Sequence, residues 1–141
     1  GCIALILTDK SRNKKRIRQF NDFRSKYYRL SDKYSGVIKN LVKEFDEEKY
    51  DFEEKVNYAI DIAEKYNDYL KEFSAMRVPA FLKNAFNFEA EHLNKEKLFF
   101  TQFSLLSKPE ELEKISNESN QAYENFNREI NSIEKNLKLI V

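Results

Sequence analysis

Apolar side chains recur at intervals of three and four residues through most of this 141-residue chain. Phe20, Phe23 and Tyr27 begin the first such series. Because an α-helix has about 3.6 residues per turn, this spacing places the apolar side chains on one face of a helix. Four stretches show the spacing, and they predict helices over about residues 10–48, 52–75, 79–105 and 108–139.

The scarcity of turn residues supports an all-α fold. The chain has two Gly and two Pro, whereas sheet-rich folds need turn residues at regular intervals. Aromatic residues make up 14% of the chain, which is enough to build a core. The second helix carries apolar stripes on two sides. A helix in a bundle has this pattern when neighbouring helices pack against both sides. Since the connections are short, we expect an antiparallel up-down-up-down four-helix bundle rather than a two-stranded coiled coil.

Several helix ends have recognisable signals. Asp51 is expected to cap the second helix, with Glu54 as its reciprocal partner. Pro79 suits the first turn of the third helix, and Ser107 is expected to cap the fourth. Gly36 lies inside the first helix but is not expected to break it. The predicted core stripe of the third helix consists of Phe81, Ala85, Phe88, His92, Phe99 and Phe103.

The N-terminus combines an apolar run with a basic one. Residues 2–7 are apolar, and we expect residues 1–9 to form a membrane-proximal segment distinct from the bundle at 10–141. The basic residues that follow are Lys10, Arg12, Lys14, Lys15, Arg16 and Arg18. Basic clusters beside a membrane bind anionic headgroups, so this pattern predicts a location at a membrane.

Three interpretations of the apolar run remain open. Gly1-Cys2 resembles the end of a bacterial lipoprotein signal, which would make Cys2 a lipid-attachment site. In this pair Gly1 could equally be a cloning remnant. Alternatively, the run is the last third of a transmembrane helix, or it is a helical turn or two packed against the bundle. The first interpretation places the protein outside the cytoplasm, and the second places it on the cytoplasmic face of a membrane.

Charge is distributed unevenly along the chain. Residues 1–43 contain twelve Lys or Arg and three Asp or Glu. Residues 44–141 contain thirteen Lys or Arg and twenty-one Asp or Glu. The two parts can neutralise each other within one bundle, or the basic end can attract an anionic surface. Nucleic acid is the less favoured anionic partner because the net charge of the whole chain is only +1.

Glu89-x-x-His92 has the spacing of helical di-iron sites. His92 is the only histidine, so the symmetric form of such a site is impossible. We therefore expect His92 to be half-buried and bonded to a neighbour, with Glu89 and Glu91 in water, and we assign no metal, cofactor or small-molecule substrate. No nucleophile motif or glycine-rich phosphate loop is present, so no catalytic residue is assigned.

The sequence therefore predicts a non-enzymatic, membrane-tethered helical bundle of the cell envelope with a binding or scaffolding role. A protein partner is expected, and Tyr28 and Phe100, each beside another aromatic residue, are the expected outward-facing contacts. The alternative is a cytoplasmic module with a basic end that binds nucleic acid or a partner helix.

Overall fold

A computed structural model describes the backbone of residues 2–140 and the side chains of residues 11–138. Throughout this range the regular structure is helical, which confirms the predicted all-α class. A 3₁₀ turn at Ala80–Leu82 precedes the third helix. The four α-helices are α1 (Cys2–Phe45), α2 (Phe52–Ser74), α3 (Lys83–Ser104) and α4 (Pro109–Ile140).

Helix α1 differs most from its predicted bounds. It begins at Cys2 rather than at residue 10, because neither Gly nor Pro interrupts the chain between Cys2 and Gly36. It also passes through Gly36 without a break and ends at Phe45, three residues before the predicted end. The apolar run and the basic run therefore lie on one continuous helix.

The predicted caps have mixed outcomes. Asp51 caps α2 as expected, since its Oδ1 accepts a hydrogen bond of 2.8 Å from the backbone N–H of Glu54. Pro79 is extended, with ψ of 161°, and precedes the 3₁₀ turn instead of lying inside a helix. The Ser107 hydroxyl donates to Oε1 of Gln102 at 2.6 Å, so it closes the end of α3 instead of capping α4.

Each helix packs against the next one along the chain, and α1 and α4 touch over a shorter length than the other pairs. The core has two parts, a larger one that involves all four helices and a smaller one built on Ala59, Ile62 and Phe100. The fully or nearly buried residues of the larger part are Phe20, Phe23, Ile38, Tyr69, Phe73, Leu82, Ala85, Phe86, Leu93, Phe126 and Leu137.

The buried face of α3 is displaced by one residue from the predicted stripe. Leu93 and Phe100 are buried, whereas the predicted His92 and Phe99 are only partly buried. One residue corresponds to a rotation of about 100° around the helix axis. In α1 the predicted stripe includes Phe20, Phe23 and Val37; Phe20 and Phe23 are buried as expected, whereas Ile38 is buried in place of Val37, which is 47% exposed.

Candidate functional site

A buried carboxylate on α3 is the most unusual feature of the core. Glu89 is only 1% exposed, so the expectation that it lies in water is wrong. The one-residue displacement of the α3 face explains the error, because it turns Glu89 inward together with Leu93. Glu91 is exposed as expected. A buried carboxylate is costly unless it is hydrogen-bonded, so its partners define the site.

Two side chains engage the Glu89 carboxylate. The Tyr27 hydroxyl, from α1, donates to Oε2. Nδ1 of His92, one turn along α3, lies 2.5 Å from Oε1. His92 is therefore partly buried and bonded to a neighbour, which confirms the prediction for that residue. These contacts tie α1 to α3 through a charged group inside the core.

The contact between Tyr27 and Glu89 also affects the pKa of Tyr27. Burial of its phenol, and then the adjacent Glu89 carboxylate, raise the pKa of Tyr27 far above its ordinary value. Tyr27 consequently remains a hydrogen-bond donor to Glu89 over the whole physiological pH range. A phenol with a strongly raised pKa is poorly suited to proton transfer near neutral pH.

A second carboxylate lies further along α3, two turns after Glu89. Ser119 of α4, which is fully buried, donates to Oε1 of Glu96 at 2.5 Å. The Tyr66 hydroxyl of α2 lies 3.4 Å from Oε2 of the same carboxylate, and burial followed by Glu96 raises the pKa of Tyr66. Because Glu89, His92 and Glu96 share one side of α3, polar bonds connect this helix to all three of its neighbours.

An open cavity of about 390 Å³ adjoins the Glu89 centre. It receives residues from all four helices, and Tyr123 of α4 stands 4.9 Å from the His92 ring, measured between centroids. Among the residues that the structure describes, no cluster of three or more His, Cys, Asp or Glu is arranged to hold a metal ion. The cavity is lined by Tyr27, Ser31, Ser35, Ile38, Lys39, Val42, Tyr66, Tyr69, Glu89, His92, Leu93 and Tyr123.

The predicted basic residues lie far from this cavity, near the start of α1. The side chains of Cys2 and Lys10 lie outside the described residues. The cations whose side chains are described are all exposed, namely Arg12, Lys14, Lys15, Arg16 and Arg18. Arg16 also stands over the Phe81 ring, 5.6 Å from its centroid, so the attachment of α1 to the bundle reaches at least this residue.

The two aromatic residues predicted to face outward have different outcomes. Tyr28 is 54% exposed, and its role as a partner contact stays a prediction. Phe100 is 5% exposed, so the expectation that it faces outward is wrong. The displaced face of α3 turns Phe100 toward Phe45 and Tyr66, with ring centroids at 5.4 and 6.3 Å.

The sequence did contain a signal for the buried centre. Ala85, Glu89 and Leu93 are four residues apart, and Glu96 and Phe100 continue the series at three and four. The two glutamates made this series look less apolar than the neighbouring one, which consists of aromatic residues and His92. The Tyr27 contact had no comparable signal, because it joins residues 62 positions apart.

Comparison with known proteins adds no assignment. No protein-family model matches the chain, and no curated protein or solved structure matches it. Within the described part of the chain, no helix is both long enough and apolar enough to cross a membrane.

Proposed function

We propose that the protein is a non-enzymatic, antiparallel up-down-up-down bundle whose N-terminal end lies against an anionic membrane, where it serves a binding or scaffolding role in the cell envelope. Cross-helix pairs support the antiparallel order. Between α1 and α2, Tyr34 stacks on Tyr69 and Lys55 stands over Phe45, so residue numbers rise on one helix as they fall on the other.

The same inverse numbering holds for the following helices. Phe86 of α3 packs on Phe73, whereas Phe103 packs on Phe52 near the start of α2. Along α3 and α4, His92 contacts Tyr123, and the later residue Glu96 accepts from the earlier Ser119. This order brings the start of α1 and the end of α4 to one end of the bundle.

One observation carries the proposal for the membrane: exposed cations cover the solvent-facing side of α1 directly after its apolar run. Arg12, Lys14, Lys15, Arg16 and Arg18 are spread around the helix at 100° per residue. They leave one uncharged strip, which is the side that packs on the bundle. Asn13 and Ile17 on this strip are partly buried, and Phe20 is 3% exposed.

The charged side of this segment is exposed, so it is free to meet another surface while the opposite side packs on the bundle. Near anionic headgroups each Lys or Arg contributes about 1 kcal/mol of attraction. Because α1 is continuous from Cys2, the apolar run ends at Leu7, between one and two turns before Arg12, the first of these charges. That order suits a segment that enters or touches a membrane and is held there by headgroup contacts.

This proposal includes two alternative anchors: Cys2 is a lipid-attachment site, or residues 2–7 are the end of a transmembrane helix. Either one places Arg12 and Lys14–Arg18 at the headgroups. The binding role rests on the site described above, where Glu89 and Glu96 of α3 are engaged in hydrogen bonds and Tyr27 is held protonated.

Vesicle co-sedimentation tests the membrane proposal. The chain is mixed with phosphatidylcholine vesicles that either contain or lack phosphatidylglycerol. We expect binding only to the anionic vesicles, with an affinity that falls as salt is added. Replacing Arg12, Lys14 and Lys15 together by Glu removes three attractive charges and adds three repulsive ones. This change should weaken binding by about a hundredfold or more.

The matched control makes the same three charge reversals elsewhere, at the exposed Lys43, Lys65 and Lys71. It should retain most of the binding, because these residues lie away from the N-terminal end. Equal binding to neutral vesicles, or equal losses in both triple variants, would contradict the proposal. Retention on single-stranded DNA above about 0.2 M salt, without vesicle binding, would instead favour the nucleic-acid alternative.

A further inference from the structure

The cavity beside Glu89 opens between α1 and α4. These helices are joined on the N-terminal side of the opening, where Arg24 pairs with Glu134 and Tyr27 contacts Phe126. Directly beyond Tyr27 the α1 wall has two small residues, Ser31 and the exposed Ser35, and it continues with Ile38, Lys39 and Val42. We name this opening the α1–α4 cleft, and its residues are those that line the 390 Å³ cavity.

The cleft has the size and accessibility of a ligand site. Its volume lies within the range of roughly 300–1,000 Å³ that is common for small-molecule pockets. Ser35 and Lys39 are exposed at its rim, and Tyr123 is 44% exposed. A ligand can therefore enter from solvent without separating the helices.

The floor of the cleft holds a carboxylate with unused acceptor capacity. A carboxylate has about four lone-pair sites, and Glu89 is seen to use one with Tyr27 and one with His92. Among the described residues, no buried side-chain N or O atom lacks a hydrogen-bond partner. Each Glu89 oxygen therefore has one partner, and a second acceptor position on each oxygen is not used by the protein's own side chains.

The rest of the lining favours a cation over an anion. Four tyrosines, Tyr27, Tyr66, Tyr69 and Tyr123, contribute to the walls. Aromatic rings attract organic cations, and the attraction grows when water is excluded. Lys39 also lines the cleft, but its side chain is exposed at the rim and can extend its ammonium group into water.

We propose that the α1–α4 cleft binds a small organic ammonium ion that carries a short apolar substituent. The ammonium group donates to the free lone pairs of Glu89, and the substituent packs among the tyrosine rings and beside Ile38 and Leu93. This inference is independent of membrane binding, since it rests on the cleft alone.

The test uses the chain in vesicle-free buffer with phenylethylammonium as the probe. Because His92 is the only histidine, its imidazole proton signals report on this site alone in an NMR titration. We expect phenylethylammonium to shift these signals saturably. The uncharged 2-phenylethanol and the anionic phenylacetate should bind at least about tenfold more weakly, because neither supplies a positive charge to Glu89.

Two matched variants locate the interaction. Glu89→Gln keeps the shape but removes the charge, and it should weaken phenylethylammonium binding about tenfold or more. Glu91→Gln makes the same change on the same helix at an exposed position outside the cleft, and it should leave the affinity within about twofold. Circular dichroism confirms that both variants are folded.

A third variant, Ser35→Phe, fills the rim from an exposed position and leaves the buried network intact. It should abolish binding, and it decides the outcome if Glu89→Gln fails to fold. The proposal is overturned if no probe shifts the His92 signals at about 10 mM, a concentration that detects even weak binding. It is also overturned if the alcohol binds as tightly as the ammonium ion, or if Ser35→Phe binds normally.

Discussion

Helix α3 contributes two very different layers to the same core. Near its start, Glu89 and His92 form a polar layer with Tyr27, and a cavity remains open beside it. Three turns later, Phe100 lies in an aromatic layer with Phe45 at 5.4 Å, measured between ring centroids. Both layers use the same buried face of one helix, so helical periodicity alone does not explain the difference.

The aromatic layer is the simpler of the two. Phe100 and its neighbours Ala59 and Ile62 are 5%, 0% and 0% exposed, and their side chains have no polar atoms to satisfy. Burial of such side chains stabilises the fold in proportion to the apolar area removed from water. Nothing in this layer depends on one particular hydrogen bond.

The polar layer depends on specific partners. Burying a charged group costs several kcal/mol, and hydrogen bonds and paired charges offset that cost only when their geometry is good. The comparison teaches that α3 gains its stability mainly at the aromatic layer, whereas the polar layer fixes the positions of α1 and α3 relative to each other. The three predictions below test this division.

Removal of a ring from the aromatic layer should have the largest effect. Phe100→Ala is expected to lower the free energy of unfolding by about 3–5 kcal/mol, since the site cannot fully collapse around the lost ring. Denaturant unfolding followed by circular dichroism measures the change. Val37→Ala, at a position that is 47% exposed, should stay within about 0.5 kcal/mol of the parent chain. A loss below about 1 kcal/mol for Phe100→Ala would show that the two layers do not differ in this way.

Alkaline pH should weaken the polar side of the core and spare the aromatic layer. Burial raises the pKa of Tyr69 to about 12, from the 10.0 of an exposed phenol. The corresponding stabilisation is complete below pH 10 and is lost as the pH rises toward 12, because only the unfolded chain ionises readily in that window. The slope from this one residue is up to about 1.4 kcal/mol per pH unit.

Unfolding measured between pH 9 and pH 12 checks this expectation. Tyr69→Phe should reduce the slope of unfolding free energy against pH by up to about 1.4 kcal/mol per pH unit, which corresponds to one proton. Tyr28→Phe, at a residue that is 54% exposed, is the control that should leave this slope nearly unchanged. An unchanged slope in Tyr69→Phe would contradict the assigned burial of the phenol.

The smallest of the three effects is expected from loss of one hydrogen bond in the polar layer. Tyr27→Phe removes the donor to Glu89 and leaves a buried acceptor site unfilled, which should cost about 1–3 kcal/mol. Thermal and denaturant unfolding measure the loss. Tyr34→Phe is the matched control, because Tyr34 donates to Glu72 at the surface, where water can replace the bond. Equal losses in the two variants would mean that burial does not distinguish these bonds.

Much of the fold was predictable because the relevant signals are local. The four helices, the capping of α2 by Asp51 and the continuity of α1 through Gly36 all follow from residues close together in sequence. The candidate site was less predictable. The spacing of Glu89 and His92 indicates that the two side chains are neighbours, but a glutamate normally faces solvent, so the sequence predicts the wrong environment for Glu89.

Two neighbouring series on α3 explain why the assignment failed. The series containing Phe88 and Phe99 is more apolar by composition, yet the structure buries the series containing Glu89 and Phe100. Only the positions of the other helices select between two faces that differ by a single residue. The same selection turned Phe100 inward and gave Glu89 a phenol partner from α1.

The sequence by itself determined which segments are helical and that basic residues follow an apolar run near the N-terminus. These properties depend on propensity, periodicity and composition, which act within a few residues along the chain. The tertiary structure alone decided the rotation of α3, the burial of Glu89 and the cleft between α1 and α4. Those features depend on side chains from distant segments that meet only after the helices have packed.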